Sequence, residues 1–275
     1  MPEGPEIWRE AAQLDRALRG RATTAVFFAF DALAPHAETL VGRDVASVRA
    51  RGKAMLVRFA DGPVIYSHNQ LYGRWMVGRA DADPPDTTRQ LRLAIHNDRH
   101  VARLYSASDI AVLDPADVDR HDYIRKLGPD AVDPDVPEDA ILAQLTDRRF
   151  RRRGLGGLLL DQGFVAGIGN YLRSEILHVV GLHPDVRPDD LDVAEQRSLA
   201  RAILALPRQS YETKGITNDL ARAEAMKARG VRRAQYRHHV FARAGKRCYT
   251  CGDAIEKIDK ASRRLYLCQT CQPAR

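Results

Sequence analysis

The sequence predicts an α+β protein of several domains: a mostly β domain led by a helix, then a helical domain, then a small cysteine module. Three observations predict it. Short alternating or β-branched runs recur between residues 24 and 106. Beyond residue 137 the apolar spacing turns helical. All four cysteines, Cys248, Cys251, Cys268 and Cys271, lie near the C-terminus. The 275 residues, 44% apolar and 29% charged, make a globular chain, not a disordered or collagen-like one. That length suits two domains better than one and buries roughly three quarters of the unfolded surface.

Each element has a local reason. Ile7, Ala11, Leu14 and Leu18 recur at helical spacing, Pro5 suits a first turn and Gly20 a stop, so a helix starts almost at the N-terminus. Strand-like runs follow at 24–30, 44–49, 55–59, 64–67, 71–77, 90–96 and 101–106. Asp61-Gly62 and Asn97-Asp98 mark turns between them. Strands at this spacing predict a sandwich or barrel over residues 1–121. The Pro- and Asp-rich stretch around 127–137 reads as a linker, with bounds of 122–136. Helical candidates at 138–145, 156–165, 171–180 and 192–206 fall in a domain spanning 137–236. Residues 212–231 permit a helix but are charged and weakly periodic. The cysteine module occupies 237–273, and Arg264-Leu265-Tyr266-Leu267 is strand-like. There are no internal repeats.

Charge is unevenly placed. Residues 1–147 hold 18 basic and 23 acidic groups, whereas residues 148–275 hold 25 basic and 13 acidic ones. A concentrated positive field attracts a polyanion, so the C-terminal half predicts a nucleic-acid partner.

The cysteine spacing is C-x2-C-x16-C-x2-C. Each close pair supplies two thiolates from one tight knuckle, and two knuckles complete a tetrahedral sulfur cage. Gly252 fits a knuckle turn. The reading is one structural zinc ion. Four thiolates leave no open coordination position, so the ion would hold the fold and do no chemistry. Two disulfides are the alternative, which a cytoplasmic location disfavours. The longest run free of charged residues, 62–73, is too short to cross a membrane. The N-terminus is acidic where a signal peptide is basic. The expectation is therefore a cytoplasmic protein with no membrane partner.

The opening Pro2-Glu3-Gly4-Pro5-Glu6 resembles the N-terminus of the formamidopyrimidine-DNA glycosylase/endonuclease VIII family. Gly167-Ile168-Gly169-Asn170-Tyr171 and the cysteine module resemble it too. Tyr66-Ser67-His68-Asn69-Gln70-Leu71-Tyr72-Gly73 is similar to the endonuclease VIII branch specifically. These motifs span nearly the whole chain in family order. The resemblance implies a β-sandwich with a flanking helix, a helix–two-turn–helix domain and a zinc-finger β-hairpin.

It also implies chemistry. With Met1 removed, Pro2 is a free secondary α-amine. Such an amine titrates near 8, against about 10.4 for lysine, so part of it is nucleophilic at neutral pH. Attack on a sugar C1′ forms an iminium that makes strand cleavage by elimination feasible. Taken alone, Pro2 could merely shape a turn. In the family's pattern Glu3 is the acid/base that assists ring opening and base departure; otherwise it is a carboxylate near a helix N-terminus, the one role open to Glu6. Lys53 matches the lysine that donates a proton in β-elimination and contacts the phosphate beside the lesion. Arg263, five residues before Cys268, matches the arginine that grips the lesion phosphate and helps δ-elimination. Arg264 competes for that assignment. Asn170, at a glycine-flanked helix start, matches a phosphate contact, although as a bare pattern it is an N-cap. Arg125 matches a DNA-contact position less specifically. Gln70, Leu71 and Tyr72 match a triplet that fills the gap left by an extruded base; a strand end with Leu71 in the core is the alternative. His68 reads as structural.

The expected function is a bifunctional DNA glycosylase/AP lyase of base-excision repair. It would act on oxidised pyrimidines through a Schiff base on Pro2 and nick by β,δ-elimination. The expected partner is double-stranded DNA with oxidised bases or abasic sites, bound by a monomer. The alternatives are a formamidopyrimidine/8-oxoguanine-type glycosylase and a non-catalytic zinc-ribbon DNA-binding protein. Residues 213–233 look longer and more basic than the endonuclease VIII branch leads one to expect.

Overall fold

Ile7, Ala11, Leu14 and Leu18 are buried along one face of α1 (Gly4–Leu18), as their spacing predicts. The structure is a computed structural model that describes residues 2–275; the expected removal of Met1 concerns a residue outside them. The described residues divide into two units, one of residues 2 and 6–125, the other of residues 3–5 and 126–275.

In the first unit α1 is followed by β1 (Ala25–Phe28), α2 (His36–Leu40), β2 (Val45–Arg51), β3 (Ala54–Phe59), β4 (Val64–His68), β5 (Arg74–Arg79), β6 (Leu91–His96), β7 (His100–Tyr105) and β8 (Asp109–Leu113). One four-stranded sheet has the order β1-β6-β7-β5 and the other β2-β3-β4-β8. All neighbouring strands are antiparallel. Val48, Val57 and Ile65 of one sheet and Leu93, Ile95 and Leu104 of the other share a core with α1, so the unit is a sandwich and not a barrel. Leu56 and Tyr66, on the opposite face of β3 and β4, pack with Val118 and Ile124. Both faces of β3 are thus covered, which is why its sequence is apolar without alternation from Ala54 to Val57. The strand expected at 71–77 begins only at Arg74, because residues 69–73 form the corner between the two sheets.

The second unit holds α3 (Glu138–Thr146), α4 (Leu155–Leu158), α5 (Asn170–Val179), α6 (Val193–Glu212), α7 (Leu220–Ala228), α8 (Arg233–Tyr236) and the hairpin β9 (Glu256–Lys260) and β10 (Arg263–Leu267). Its core joins Ile141, Leu158, Leu172, Ile176, Leu199 and Ile203 to Leu265 and Leu267 of β10. Residues 127–137 are tied into it: Ala131 N–H donates to the Ala166 carbonyl, and Arg208 donates to the carbonyls of Asp133 and Val136.

Three helical expectations change. The helix expected at 156–165 is one turn, α4; the Asp161 carboxylate then accepts from Gly163 N–H and turns the chain. Leu158, Leu159 and Phe164 are buried all the same, so their run marks core in irregular structure. Second, α6 does not stop at residue 206 but continues through Pro207 to Glu212. An interior proline costs about 3 kcal/mol, which burial of Leu199, Ile203 and Leu206 at roughly 2 kcal/mol each offsets. Third, the uncertain stretch 212–231 contains α7, whose first turn is capped by the Asp219 carboxylate accepting from Arg222 N–H. Among the described residues no helix is long and apolar enough to cross a membrane.

Candidate active site

In the second unit the site is built on the start of α5. Glu3 is 4% exposed. Its carboxylate accepts from the N–H groups of Gly169 at 2.8 Å, Tyr171 at 2.7 Å and Leu172 at 3.3 Å. Beside it, Gly4 N–H donates to the Gly167 carbonyl at 2.7 Å. A Cβ at Gly169 would lie 2.4 Å from Glu3 Cδ, so only glycine lets the two approach. Glu3 thus occupies the positive end of α5 through charge-assisted hydrogen bonds. The carboxylate-at-a-helix reading is satisfied, but by α5 and not by the helix Glu3 precedes.

Asn170 is the first residue of α5 and not its cap; Gly169 is the cap residue. Asn170 Oδ1 accepts from Arg173 Nη2 at 2.8 Å, which leaves its Nδ2 hydrogens as the donors available to a ligand. Arg173 is the residue that sequence reasoning missed. It is fully buried, and its guanidinium donates to the carbonyls of Gly156 and Lys260 from Nη1 and of Arg263 and Arg264 from Nη2. Burial lowers its pKa to about 10, with the Glu3 carboxylate opposing and the Arg263 charge reinforcing that shift. One buried cation therefore joins α5 to the β9–β10 turn. Its signal in the sequence was a lone arginine inside the apolar run Tyr171-Leu172-Arg173-Ser174-Glu175-Ile176-Leu177.

Ala261 and Ser262 form the β9–β10 turn with φ of +53° and +57°, a type I′ geometry. Arg263 and Arg264 leave it as neighbours on one strand, so their side chains point to opposite faces. Both are exposed.

The four cysteines are free thiols whose sulfurs all lie within 4.8 Å of one another. Cys248 and Cys271 sulfurs are 3.8 Å apart and those of Cys251 and Cys268 3.4 Å. Four thiolates at a metal–sulfur distance of about 2.3 Å are separated by roughly 3.8 Å, so the cluster fits one tetrahedral ion. Gly252, at φ +88°, makes the expected knuckle turn. Gln272 is fully buried and accepts from Cys268 N–H, which fixes the second knuckle.

In the first unit Pro2 is half-buried. Lys53 follows Gly52, at φ +58°, in the β2–β3 turn, and its backbone N–H donates to Tyr123 Oη at 3.0 Å. Its charge reaches His68: burial lowers the His68 pKa, Asp109 opposes that and Lys53 adds to it. His68 Nδ1 accepts from Gln70 N–H at 2.9 Å, the structural part expected of it. Gln70 sits at φ +50° and its Oε1 accepts from Ser108 Oγ. Leu71 is 50% and Tyr72 67% exposed, which excludes Leu71 as a core residue. Arg125 is exposed and paired with Asp122 at 2.8 Å.

Two family models match: the formamidopyrimidine-DNA glycosylase N-terminal domain over residues 1–109 and the formamidopyrimidine-DNA glycosylase H2TH domain over 127–221. The chain is 43% identical over 272 residues to endonuclease 8 of Escherichia coli K12, covering 99% of this chain and all of that one. It is 42% identical to endonuclease 8 of Shigella sonnei over the same extent. Among solved structures, Lactococcus lactis formamidopyrimidine-DNA glycosylase in complex with N7-benzyl-Fapy-dG DNA matches with a TM-score of 0.81 at 20% identity, covering 99% of this chain and all of that one. The same enzyme on DNA with an abasic site matches at 0.79 and 19%, with the same coverage.

Proposed function

Since the chain belongs to the formamidopyrimidine-DNA glycosylase/endonuclease VIII family, and is a DNA glycosylase/AP lyase of base-excision repair, we propose that its main substrates are oxidised pyrimidines and its nucleophile the amine of Pro2. The observation that carries this reading is the clasp of Glu3 on the first turn of α5, one residue from that amine. It gives the carboxylate that follows Pro2 in the chain a fixed set of donors.

The Pro2 nitrogen bonds to C1′, and the base leaves with the electron pair of its glycosidic bond. Glu3 passes a proton during ring opening and departure. The resulting iminium draws electrons from C2′; loss of a C2′ proton expels the 3′ phosphate, and a second elimination expels the 5′ phosphate. Lys53 supplies a proton in the first elimination. Arg263 neutralises the lesion phosphate in the second. The influence of the Arg263 charge on Arg173 and the bond from Arg173 to Asn170 support grouping Arg263, in preference to Arg264, with Glu3 and Asn170. Gln70, Leu71 and Tyr72 fill the vacated stack, and Arg125 contacts the DNA backbone. Double-stranded DNA carrying oxidised bases or abasic sites is bound by a monomer in the bacterial cytoplasm. Four cysteines hold one zinc ion, which supplies structure and no reaction step.

Borohydride reduction of the iminium tests the nucleophile. The enzyme should cross-link covalently to abasic DNA, and a form in which a retained, N-acetylated Met1 holds the Pro2 nitrogen in an amide should not. Full cross-linking by that blocked form would overturn the assignment.

A further inference from the structure

Glu10 belongs to none of the motifs above. It lies on the flank of α1, and its Oε2 accepts a 2.7 Å hydrogen bond from Asn69 Nδ2. Asn69 is itself 3% exposed. It opens the corner by which the chain leaves β4 in one sheet for β5 in the other. That corner is narrowly specified. Gly73 N–H closes it on the Asn69 carbonyl at 2.7 Å, and a Cβ at Gly73 would lie 2.5 Å from that oxygen. Between these two residues stand Gln70, in the left-handed region, and the exposed side chains of Leu71 and Tyr72. Asn69 is therefore the buried root of an exposed triplet, and Glu10 is the acceptor that holds the root side chain.

We propose that Glu10 is a positioning residue that fixes the Gln70, Leu71 and Tyr72 corner for insertion into DNA, and that its ionised carboxylate is the form that does so. This rests on reading the triplet as the wedge that replaces an extruded base. A carboxylate accepts from an amide more strongly than a neutral carboxyl does, so protonation loosens the root. Burial raises the Glu10 pKa to about 7; the Asn69 hydrogen bond and Arg74 oppose this, Glu6 adds to it and Arg9 opposes it. These are the charged groups that face it, from α1 and from β5. The corner holds a second titratable group, His68, which accepts from Gln70 N–H. Burial keeps that imidazole neutral to below its ordinary range, with Asp109 opposing and Lys53 reinforcing. A midpoint that disappears in Glu10→Gln belongs to Glu10 and not to His68.

The test needs insertion without chemistry. A duplex carrying a non-cleavable tetrahydrofuran abasic analogue, with the fluorescent base 2-aminopurine opposite it, reports insertion as a change in emission. For the wild type the signal should fall about threefold or more from pH 8 to pH 6, with a midpoint near 7. Glu10→Gln keeps an acceptor oxygen but carries no charge and cannot titrate, so its signal should lie below that of the wild type at pH 8 and be the same at both pH values. Glu10→Ala should give a low signal at both. A flat wild-type profile, a midpoint that persists in Glu10→Gln, or a full signal from Glu10→Ala overturns the proposal. The wedge reading fails separately, if the double variant Leu71→Ala/Tyr72→Ala keeps the full signal at pH 8.

Discussion

Glu3 combines two demands on one carboxylate. Three backbone N–H groups hold it in place, and the proposed chemistry asks it to move a proton. Glutamine in its place keeps one acceptor oxygen but cannot exchange a proton. Glu3→Gln should therefore slow base excision about 10²–10⁴-fold in single-turnover assays. Cleavage at a preformed abasic site, which needs no base departure, should fall much less. Equal losses on the two substrates would remove Glu3 from the excision step. The sequence offered Glu3 through its neighbour Pro2, but not its partners, because Gly169 and Tyr171 lie 166 and 168 positions away. Arg173 was not offered at all. An arginine in an apolar run is outwardly a helix-surface residue, and only the carbonyls of a distant turn show why it is buried.

Among the elements, the stretch leading into the cysteine module is tied to α5 by a second carboxylate. Glu175, fully buried, accepts from the N–H groups of His239, Val240 and Phe241 and from Thr217 Oγ1. Burial alone would raise its pKa, but His238, His239 and these donors outweigh burial and hold it below the ordinary carboxylate range. His238 pays for that burial: desolvation lowers its pKa to about 4 against the pull of Glu175, and Arg237 adds to the lowering. The unfolded chain takes up this proton near pH 6.5 and the folded chain not until about 4, so stability is present above 6.5 and is lost as pH falls toward 4. The thermal midpoint should drop between pH 7 and pH 5, and His238→Gln should reduce that drop. Identical midpoints at the two pH values for the wild type would contradict this clamp. The sequence left residues 212–231 undecided because their helix, α7, has a weakly apolar face and rests on its Asp219 cap.

For the molecule as a whole, the excess of positive charge falls in the C-terminal half, which also carries the cysteine cluster and the β9–β10 hairpin. Leu265 and Leu267 of that hairpin belong to the core of the second unit. Metal loss should therefore reach beyond the knuckles. A strong chelator is expected to lower the thermal midpoint, to abolish borohydride cross-linking to abasic DNA, and to be reversed by added zinc. An unchanged melt after verified metal removal would show that a bound metal is dispensable for folding.

Composition, turn signals and cysteine spacing by themselves determined a β region of sandwich or barrel type, a helical region and four cysteines at metal-ligand spacing. Each is a local pattern, set by side-chain periodicity or by ligands a few residues apart. Tertiary structure alone decided where irregular backbone carries the core, as after α4, and that α6 runs through Pro207. It also decided which carbonyls meet Arg173, and that Asn69 roots its corner on Glu10. These depend on groups 17 to 91 positions apart. Such contacts satisfy buried polar atoms, and a linear pattern carries no record of which distant donor or acceptor will be brought within reach.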